Sequence, residues 1–487
     1  MCIEASSQSF AHIQGPDDST SSRGVNRKMD IALLPFLSLL YLFNGLDRSN
    51  IGNAETQGFS RDIGASPDDL NLAVSLFSVT FVLFQLPSAA MGRWLGAKRW
   101  IIFMMIGWGT FTIAHAFVRG RSTLIAVRLM IGTFEAAFYP TAVAYLSCFY
   151  CRYDLAVRLA IFYGQYAIAG AFSGSIAFGV FHLKSNALYG WQCLFIIEGT
   201  LTVIMALIAW FWLPHEPASA WFLAKDERQF AAVRIIKDNF DYVAHNSNET
   251  DRSHSRLSKR DVIETMVDWN TWYVLVFNIC ASVPNQTFSV FLPLVVQGLD
   301  YSAIEANLMS VPPYICGATG LYLFALSSDY RKERGYHIVI SISISLIGLL
   351  VTVMCDSSQV KHAGLCILLF GSYVAAPLTV AWLSGNIPKP GKRSLVLGVN
   401  GFGNLAGIIG SQLYRKRFAP EYLFPFYVTL GFVAAALLGY IAYRFTLAAV
   451  NKRKRAIMAD KSVEQIYAER IDSTRYADSK WTFLYGL

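Results

Sequence analysis

Residues 31–54 read IALLPFLSLLYLFNGLDRSNIGNA, and this stretch decides how the rest of the chain is interpreted. It holds no charge before Asp47, where a carboxylate and the guanidinium of Arg48 stand side by side, followed by Asn50 and Asn53. An uncharged run of this kind is typical of a helix that crosses a lipid bilayer. Ionisable side chains in such helices are costly, and they usually face a bundle interior or a translocation path.

The composition of the whole chain supports the same interpretation. The 487 residues are 54% hydrophobic and 15% charged, with a mean hydropathy of +0.39, whereas soluble domains carry about 25% charged residues. The net charge of +8 does not indicate nucleic-acid binding, because the basic residues fall mostly in loops between apolar blocks. We therefore predict a multi-pass protein of the lipid bilayer with no nucleic-acid partner.

Twelve apolar blocks, each close to the ~20 residues that span hydrocarbon, divide the chain into two halves. Six blocks, a polar linker and six more blocks are expected of a transporter built from two six-helix bundles. The predicted fold class is therefore an all-α membrane protein with twelve transmembrane helices. The predicted spans are 30–54, 69–92, 99–118, 122–147, 157–182, 191–213, 270–297, 305–327, 336–355, 362–385, 394–414 and 423–448.

The segments between and around the spans complete the predicted organisation. Most basic residues fall on the side that also carries both termini, so that side is the cytoplasm; the cluster RKR at 415–417 departs from this bias. The predicted units are a disordered cytoplasmic N-terminal tail (1–29), an N-terminal bundle (30–213), a cytoplasmic linker (214–269), a C-terminal bundle (270–448) and a cytoplasmic C-terminal tail (449–487).

Four ionisable residues lie within the predicted spans of the first half. Asp47 and Arg48 are adjacent, and Arg128 and Glu135 are spaced to share one face of a helix. Protonation of one acid in this neutral quartet leaves a local positive charge, which suits a bidentate contact between arginine and a carboxylate substrate. This pattern favours proton-coupled transport of an organic anion, although charges that only hold the bundle together remain an alternative. For Glu198, near the outer end of the sixth span, a structural role is favoured.

Several segments resemble the major facilitator superfamily and, more narrowly, the fungal anion:cation symporters of the allantoate permease group. The resemblance covers about residues 30–450 and implies a secondary transporter that moves a small organic anion such as a carboxylate, ureide or vitamin by alternating access. It also implies a monomer in the plasma membrane, with the proton gradient instead of a cofactor. The segments are LDRSNIGNA (46–54), RLMIGTFEAAFYPTAVAYLSCFY (128–150), RLAIFYGQYAIAGAFSGSIAFGV (158–180), AWLSGNIPKPGKRS (381–394) and NGFGNLAGIIGSQLY (400–414).

The resemblance implies roles for individual residues. Asp47 and Glu135 match acids that couple transport to protons, and Arg48 and Arg128 match positions expected to meet the anion. The loops GRWLGAKRW (92–100) and GWQC (190–193) depart from the family's pattern, the first by lacking an acid. Further implied residues are Gln165, Trp382 and Asn404 in the central cavity, and Arg93, Asp329, Arg331 and Arg334 in cytoplasmic gating loops.

Other functions are kept as alternatives. An exporter of a drug or secondary metabolite would usually carry a Gly-Pro element in the fifth span, and residues 158–182 contain no proline. A non-transporting nutrient sensor would be expected to have a longer cytoplasmic tail than residues 451–487 provide. The chain contains no HExxH, GxSxG, P-loop or dinucleotide motif, and its lone CxxC at 148–151 is assigned to helix packing, so neither an enzyme nor a metal site is predicted.

Overall fold

A computed structural model describes residues 18–136, 138–150, 152–183, 188–246, 259–471, 476 and 478–487. Every regular element in these ranges is a helix, so the all-α fold class is confirmed. The first seventeen residues of the predicted N-terminal tail, and Cys151 of the CxxC motif, lie outside the described residues.

The first half and the linker contain eleven α-helices within the described ranges. The fourth predicted span consists of two helices, α6 and α7. The bounds are α1 Asp18–Ala32, α2 Leu34–Thr56, α3 Phe59–Asp62, α4 Pro67–Leu95, α5 Ala97–His115, α6 Gly120–Glu135, α7 Phe138–Ser147, α8 Arg152–Phe181, α9 Gly190–Trp212, α10 Lys225–Asn246 and α11 Lys259–Val267.

The second half contains the other six predicted spans, and the eighth, tenth and eleventh of these each consist of two helices. A 3-10 turn, Gly401–Leu405, joins the two parts of the eleventh. The bounds are α12 Trp269–Gln297, α13 Ala303–Met309, α14 Val311–Arg331, α15 Gly335–Met354, α16 Ser358–Ser372, α17 Ala375–Asn386, α18 Pro390–Asn400, α19 Ala406–Leu413, α20 Leu423–Ala459 and α21 Val463–Ile471.

The predicted spans all coincide with helices. Ten helical segments of the described chain are long and apolar enough to cross a membrane. The two remaining predicted spans, the third and the fifth, are occupied by α5, which has 19 residues, and α8, which has 30. Lys98 and Arg99 lower the apolar character of α5, and Gln165 with several glycines, serines and tyrosines lowers that of α8.

Residues 18–29, assigned from the sequence to a disordered tail, form most of helix α1. Val25 and Met29, one turn apart, are buried in the main apolar core. Arg158 of α8 binds the Asp30 carboxylate with N–O distances of 2.6 and 2.7 Å. Helix α1 is therefore anchored on the inner face of the first bundle, because its apolar stripe has a surface to cover.

Helix α4 shows how local sequence sets a helix start. The Ser66 hydroxyl accepts a hydrogen bond from the Asp69 backbone N–H at 3.2 Å, and the Asp69 carboxylate accepts one from the Ser66 N–H at 3.0 Å. This reciprocal capping satisfies two backbone donors that helix geometry leaves free, and Pro67 at the first position needs no donor.

The two bundles meet mainly through helices α2, α4 and α8 of the first half and α12, α13, α14 and α19 of the second. Gly52 of α2 lies directly against the Val290 carbonyl of α12, where an added Cβ would be 1.7 Å from the oxygen. Towards the outer side, the Asn71 side-chain amide donates to the Tyr414 carbonyl at 3.1 Å, and the Ser75 and Ser411 hydroxyls are 2.7 Å apart. These contacts hold the outer ends of the two bundles together.

The C-terminal segment lies against the cytoplasmic face of the second bundle. The Tyr476 hydroxyl donates to Asp261 of the linker at 2.5 Å, and Lys392 of α18 binds the Asp478 carboxylate at 2.5 Å and Asp268 at 2.8 Å. Burial, together with the hydrogen bond to Asp261, raises the pKa of Tyr476 well above its usual range, so its hydroxyl stays a donor. The tail and the linker are thus joined to the eleventh span.

The last three residues enter the inner end of the tenth span. The Gly486 carbonyl accepts hydrogen bonds from the Trp382 indole at 2.7 Å and the Asn386 amide at 3.1 Å, and the Gly486 N–H donates to Asn386 at 2.7 Å. The Leu487 carbonyl accepts from the Arg334 backbone N–H at 3.1 Å. The end of the chain therefore contacts a residue assigned from the sequence to a gating loop.

Candidate substrate site

A small cavity of about 20 Å³ lies between the two bundles. It has room for about one water molecule, so a substrate requires the bundles to move apart. Both halves contribute to the wall, which combines charge, amide and aromatic groups. The lining residues are Arg48, Ile51, Val74, Phe77, Ser78, Phe81, Arg128, Gln286, Ser289, Val290, Phe291, Asn404 and Gly407.

Arg48 of α2 is held by an acid and by aromatic rings. Its Nε donates to Glu135 Oε2 of α6 at 3.0 Å, which forms a buried ion pair. The guanidinium carbon lies 4.2 Å from the centre of the Phe81 ring and 5.2 Å from that of Phe77, both on α4. Cation–π contacts of this kind are attractive and become stronger when water is excluded. The arginine is thus fixed in the cavity wall.

Arg128 of α6 lies in the same wall with fewer interactions. It is 2% exposed, and its Nε and Nη2 have no hydrogen-bond partner within the described residues. Buried polar groups are normally hydrogen-bonded, so this guanidinium is available to bind an additional acceptor. A carboxylate is the acceptor whose geometry matches the guanidinium fork.

Asp47 points to a different environment from that of its neighbour Arg48. Its side chain is 3% exposed, and neither carboxylate oxygen has a hydrogen-bond partner in the described part of the chain. Arg128 lies close enough to Asp47 and Glu135 to interact electrostatically with both, but it donates a hydrogen bond to neither. The structure therefore brings the four predicted charges together, with Glu135 on Arg48 and Arg128 beside both acids.

The second bundle presents amides to the cavity. The Gln286 side-chain amide of α12 donates to the Asn404 side-chain oxygen at 2.9 Å, and Asn404 donates to the Gly401 carbonyl at 2.9 Å. Ser289 lies one turn along α12 from Gln286, on the same wall. The site is therefore divided, with cations on one bundle and neutral hydrogen-bonding groups on the other.

Phe291 separates this cavity from a larger pocket on the outer side. The outer pocket has a volume of about 440 Å³, and Phe291 lines both spaces. Asn71 and Tyr414, which join the bundles, also line the outer pocket. The ring of Phe291 is 2% exposed and is stacked on Tyr414, with 6.5 Å between ring centres. The outer route to the cavity is closed at this layer.

The other residues assigned from the sequence occupy several places. Gln165 lies between α8 and α14, where its amide is 3.4 Å from the Tyr322 hydroxyl. Trp382 contacts Gly486 of the tail, as described above, and Asn404 is in the cavity wall. Among the gating residues, Asp329 pairs with Arg334, Arg331 is exposed, and the side chain of Arg93 lies outside the described part of the structure.

Sequence reasoning did not single out the aromatic and hydroxyl groups of the wall as site residues. Phe77 and Phe81 are four residues apart on α4, and Ser78 lies between them. In an apolar helix such spacing is equally typical of core or lipid contact, so it carries no signal for a site. Their role depends on how α4 is rotated about its own axis.

The sequence profile described as Major Facilitator Superfamily matches residues 37–411, which is most of the chain. The chain belongs to the major facilitator superfamily. It is a multi-pass membrane transporter, and the prediction of transport by a protein of this class is confirmed.

Several fungal members of the superfamily are similar over most of their length. The major facilitator-type transporter hxnP of Emericella nidulans is 34% identical over 83% of this chain and 82% of its own. The MFS-type transporter efuF of Hormonema carpetanum is 33% identical over 87% and 84%. The high-affinity nicotinic acid transporter of Saccharomyces cerevisiae is 30% identical over 89% and 79%.

Solved structures share the superfamily's fold. A bacterial homologue of the human lysosomal transporter Spinster matches with a TM-score of 0.62 and 14% identity, over 87% of this chain and 97% of its own. The xylose transporter XylE from E. coli also has a TM-score of 0.62, with 11% identity over 84% and 96%. The predicted fold of twelve helices in two bundles is thereby confirmed.

Proposed function

We propose that this transporter is a proton-coupled symporter of a small organic carboxylate, belonging to the fungal anion:cation symporters and acting as a monomer in the plasma membrane. The observation that carries the proposal is Arg128, a cation in the cavity wall whose Nε and Nη2 have no partner within the described residues. An anion that entered the cavity would supply the missing acceptors.

The remainder of the wall favours a planar acid. Phe77 and Phe81 provide ring faces, and Gln286, Ser289 and Asn404 provide hydrogen-bonding groups from the opposite bundle. Such a mixture suits an aromatic ring that bears one carboxylate, because the ring stacks and the polar groups fix its orientation. The nicotinic acid transporter among the relatives makes nicotinate the first compound to examine.

The acids of the first bundle supply the coupling in this proposal. Asp47 and Glu135 share a closed region with the two arginines, so proton binding to either acid makes the cavity wall more positive. A bound carboxylate then restores neutrality, and proton and anion favour each other's binding. Uptake is expected to rise as the external pH falls, since more protons are available from outside.

The test is uptake of radiolabelled nicotinate and a panel of small carboxylates at two external pH values, in yeast cells lacking their own nicotinate carrier. Arg128→Gln is expected to lower apparent affinity by about 10–100-fold, because charged hydrogen bonds contribute about 1.5–3 kcal/mol each. Arg119→Gln, an exposed position just before the same helix, is the matched control. Uptake that does not depend on pH for any of the acids would contradict the proposal and would favour export. An Arg128→Gln variant with the apparent affinity of wild type would also contradict it.

A further inference from the structure

Glu198 is a third acid inside the first bundle, and it lies outside the cavity wall. It sits on α9, about 12 Å from the outer start of that helix at ~1.5 Å per residue. Its side chain is 1% exposed. One carboxylate oxygen accepts a hydrogen bond from the Asn50 amide of α2, and the other oxygen has no partner among the described residues.

A chain of neutral hydrogen bonds leads to this carboxylate. The Asn53 amide donates to the Ser173 hydroxyl of α8 at 2.6 Å, and that hydroxyl donates to the Asn50 side-chain oxygen at 3.2 Å. Asn50 then donates to Glu198. Every donor in this chain is an amide or a hydroxyl, so the surroundings of Glu198 provide hydrogen bonds and no compensating charge.

The titratable groups on the neighbouring helices do not neutralise Glu198. Helix α9 lies against α5, α2 and α8. Helix α2 contributes Asp47, which is a like charge, and α5 contributes His115, whose ring is stacked on Phe195 with 4.4 Å between ring centres. Helix α8 contributes Ser173. In the described part of the chain, no lysine or arginine nitrogen lies within 4.0 Å of the Glu198 carboxylate.

The charges of the first bundle therefore do not balance if all the acids are ionised. Among the described side chains of this bundle, three buried acids, Asp47, Glu135 and Glu198, accompany two buried arginines, Arg48 and Arg128. Glu135 pairs with Arg48, and Asp47 is within electrostatic reach of Arg128. A buried carboxylate without a cation is unstable in a medium of low dielectric constant. Among the described residues, Glu198 is the buried acid of this set without an arginine beside it, so a proton on Glu198 restores neutrality.

We propose that Glu198 is a separate proton-binding site of this transporter, distinct from Asp47 and Glu135, and that it holds one proton while the outer side is closed. The step is simple protonation of the carboxylate, with no other reactant. It rests on the proposed symport and deepens it, because it names an acid that holds a proton while Asp47 and Glu135, which lie beside the arginines, remain ionised.

The test is infrared pH-difference spectroscopy of the full chain reconstituted in liposomes, which needs no substrate. Wild type is expected to show the band of a protonated carboxyl group, and Glu198→Gln is expected to lose it. Glu421→Gln, which removes an exposed acid and leaves the buried charges unchanged, is the control and should keep the band. A band that survives Glu198→Gln, or that disappears in Glu421→Gln, overturns the proposal.

A second variant tests the same assignment if the Glu198→Gln protein does not fold. Asn50→Ser removes the amide donor, so the carboxyl band should move to higher frequency as its carbonyl loses a hydrogen bond. An unchanged band frequency in this variant overturns the assignment to Glu198. Uptake that is independent of pH in wild type would instead defeat the proposed symport and leave the infrared assignment standing, so the two failures are distinguishable.

Discussion

At the scale of single residues, two arginines of the same bundle have different environments. Arg48 is neutralised by Glu135 and covered by Phe81, whereas Arg128 has two guanidinium nitrogens without hydrogen-bond partners among the described residues. A paired arginine is poorly available to a ligand, because binding must first compete with the existing carboxylate. We therefore assign the first contact with an anion to Arg128, and the coupling between anion and proton to the Arg48–Glu135 pair.

The first prediction concerns this pair. Glu135→Gln should abolish proton-driven accumulation of carboxylate and should also lower the melting temperature, because removing one partner of a buried ion pair costs about 3–5 kcal/mol. The double variant Arg48→Gln/Glu135→Gln should recover part of the lost stability, since no charge is then left unpaired. Uptake driven by the proton gradient in Glu135→Gln at the wild-type level would contradict the coupling role.

At the scale of helices, the contact between α2 and α12 depends on a residue without a side chain. The Val290 carbonyl occupies the space that a Cβ on Gly52 would need. Phe291, the next residue of α12, is the ring between the cavity and the outer pocket. Close approach at Gly52 and closure at Phe291 are thus parts of one contact.

The second prediction follows from that contact. Gly52→Ala should push α2 and α12 apart on the outer side, because the new methyl group would lie 1.7 Å from a carbonyl oxygen. The thiol of a Phe291→Cys variant should then react faster with a membrane-impermeant thiol reagent applied from outside. Gly179→Ala, where nothing lies within 4 Å of the added carbon, is the control. Equal labelling rates in both backgrounds would show that Gly52 does not control outer closure.

The third prediction concerns the C-terminal tail. Deleting residues 481–487 removes the bonds that Gly486 makes with Trp382 and Asn386, and the bond from Lys454 to the Phe483 carbonyl. Each lost hydrogen bond contributes about 0.5–1.5 kcal/mol, so the melting temperature of the detergent-solubilised protein should fall. Val463→Ala, at an 83% exposed position, should leave it unchanged. A truncated protein as stable as the full chain would mean that the docked tail adds nothing to the fold.

At the scale of the whole molecule, the chemistry is divided unequally between the halves. The first bundle holds the buried acids and arginines discussed above, and the second contributes amides and hydroxyls to the shared cavity. With room for about one water molecule in that cavity, binding and release require the two bundles to move against each other. Rigid motion of one bundle against the other is the expected mechanism for this architecture.

The fourth prediction tests whether the outer ends must separate. The Ser75 and Ser411 hydroxyls, one on each bundle, are 2.7 Å apart, so cysteine sulfurs at these two positions need only a small shift to reach the about 2.05 Å of a disulfide bond. Oxidation of the Ser75→Cys/Ser411→Cys variant should stop transport, and a reducing agent should restore it. Each single variant, treated in the same way, is the control. Full transport by the cross-linked protein would rule out opening at this layer.

The sequence by itself determined the helical class, the two six-span halves and the four charges of the first bundle. These are properties of local runs, because hydropathy and charge within ~20 residues decide whether a segment enters the bilayer. The start of α4 at Ser66 is equally local. Proton coupling and the proposed substrate class remain predictions from that pattern.

Only the tertiary structure decided which groups meet. Glu135 pairs with Arg48, 87 positions away in the chain, and Asn386 meets Gly486 across 100 positions. Such partners depend on the rotation and depth of each helix, which apolar spacing defines poorly when a helix is hydrophobic on all sides. For the same reason the sequence favoured a structural role for Glu198, whereas packing encloses it among neutral donors and makes it a candidate proton site.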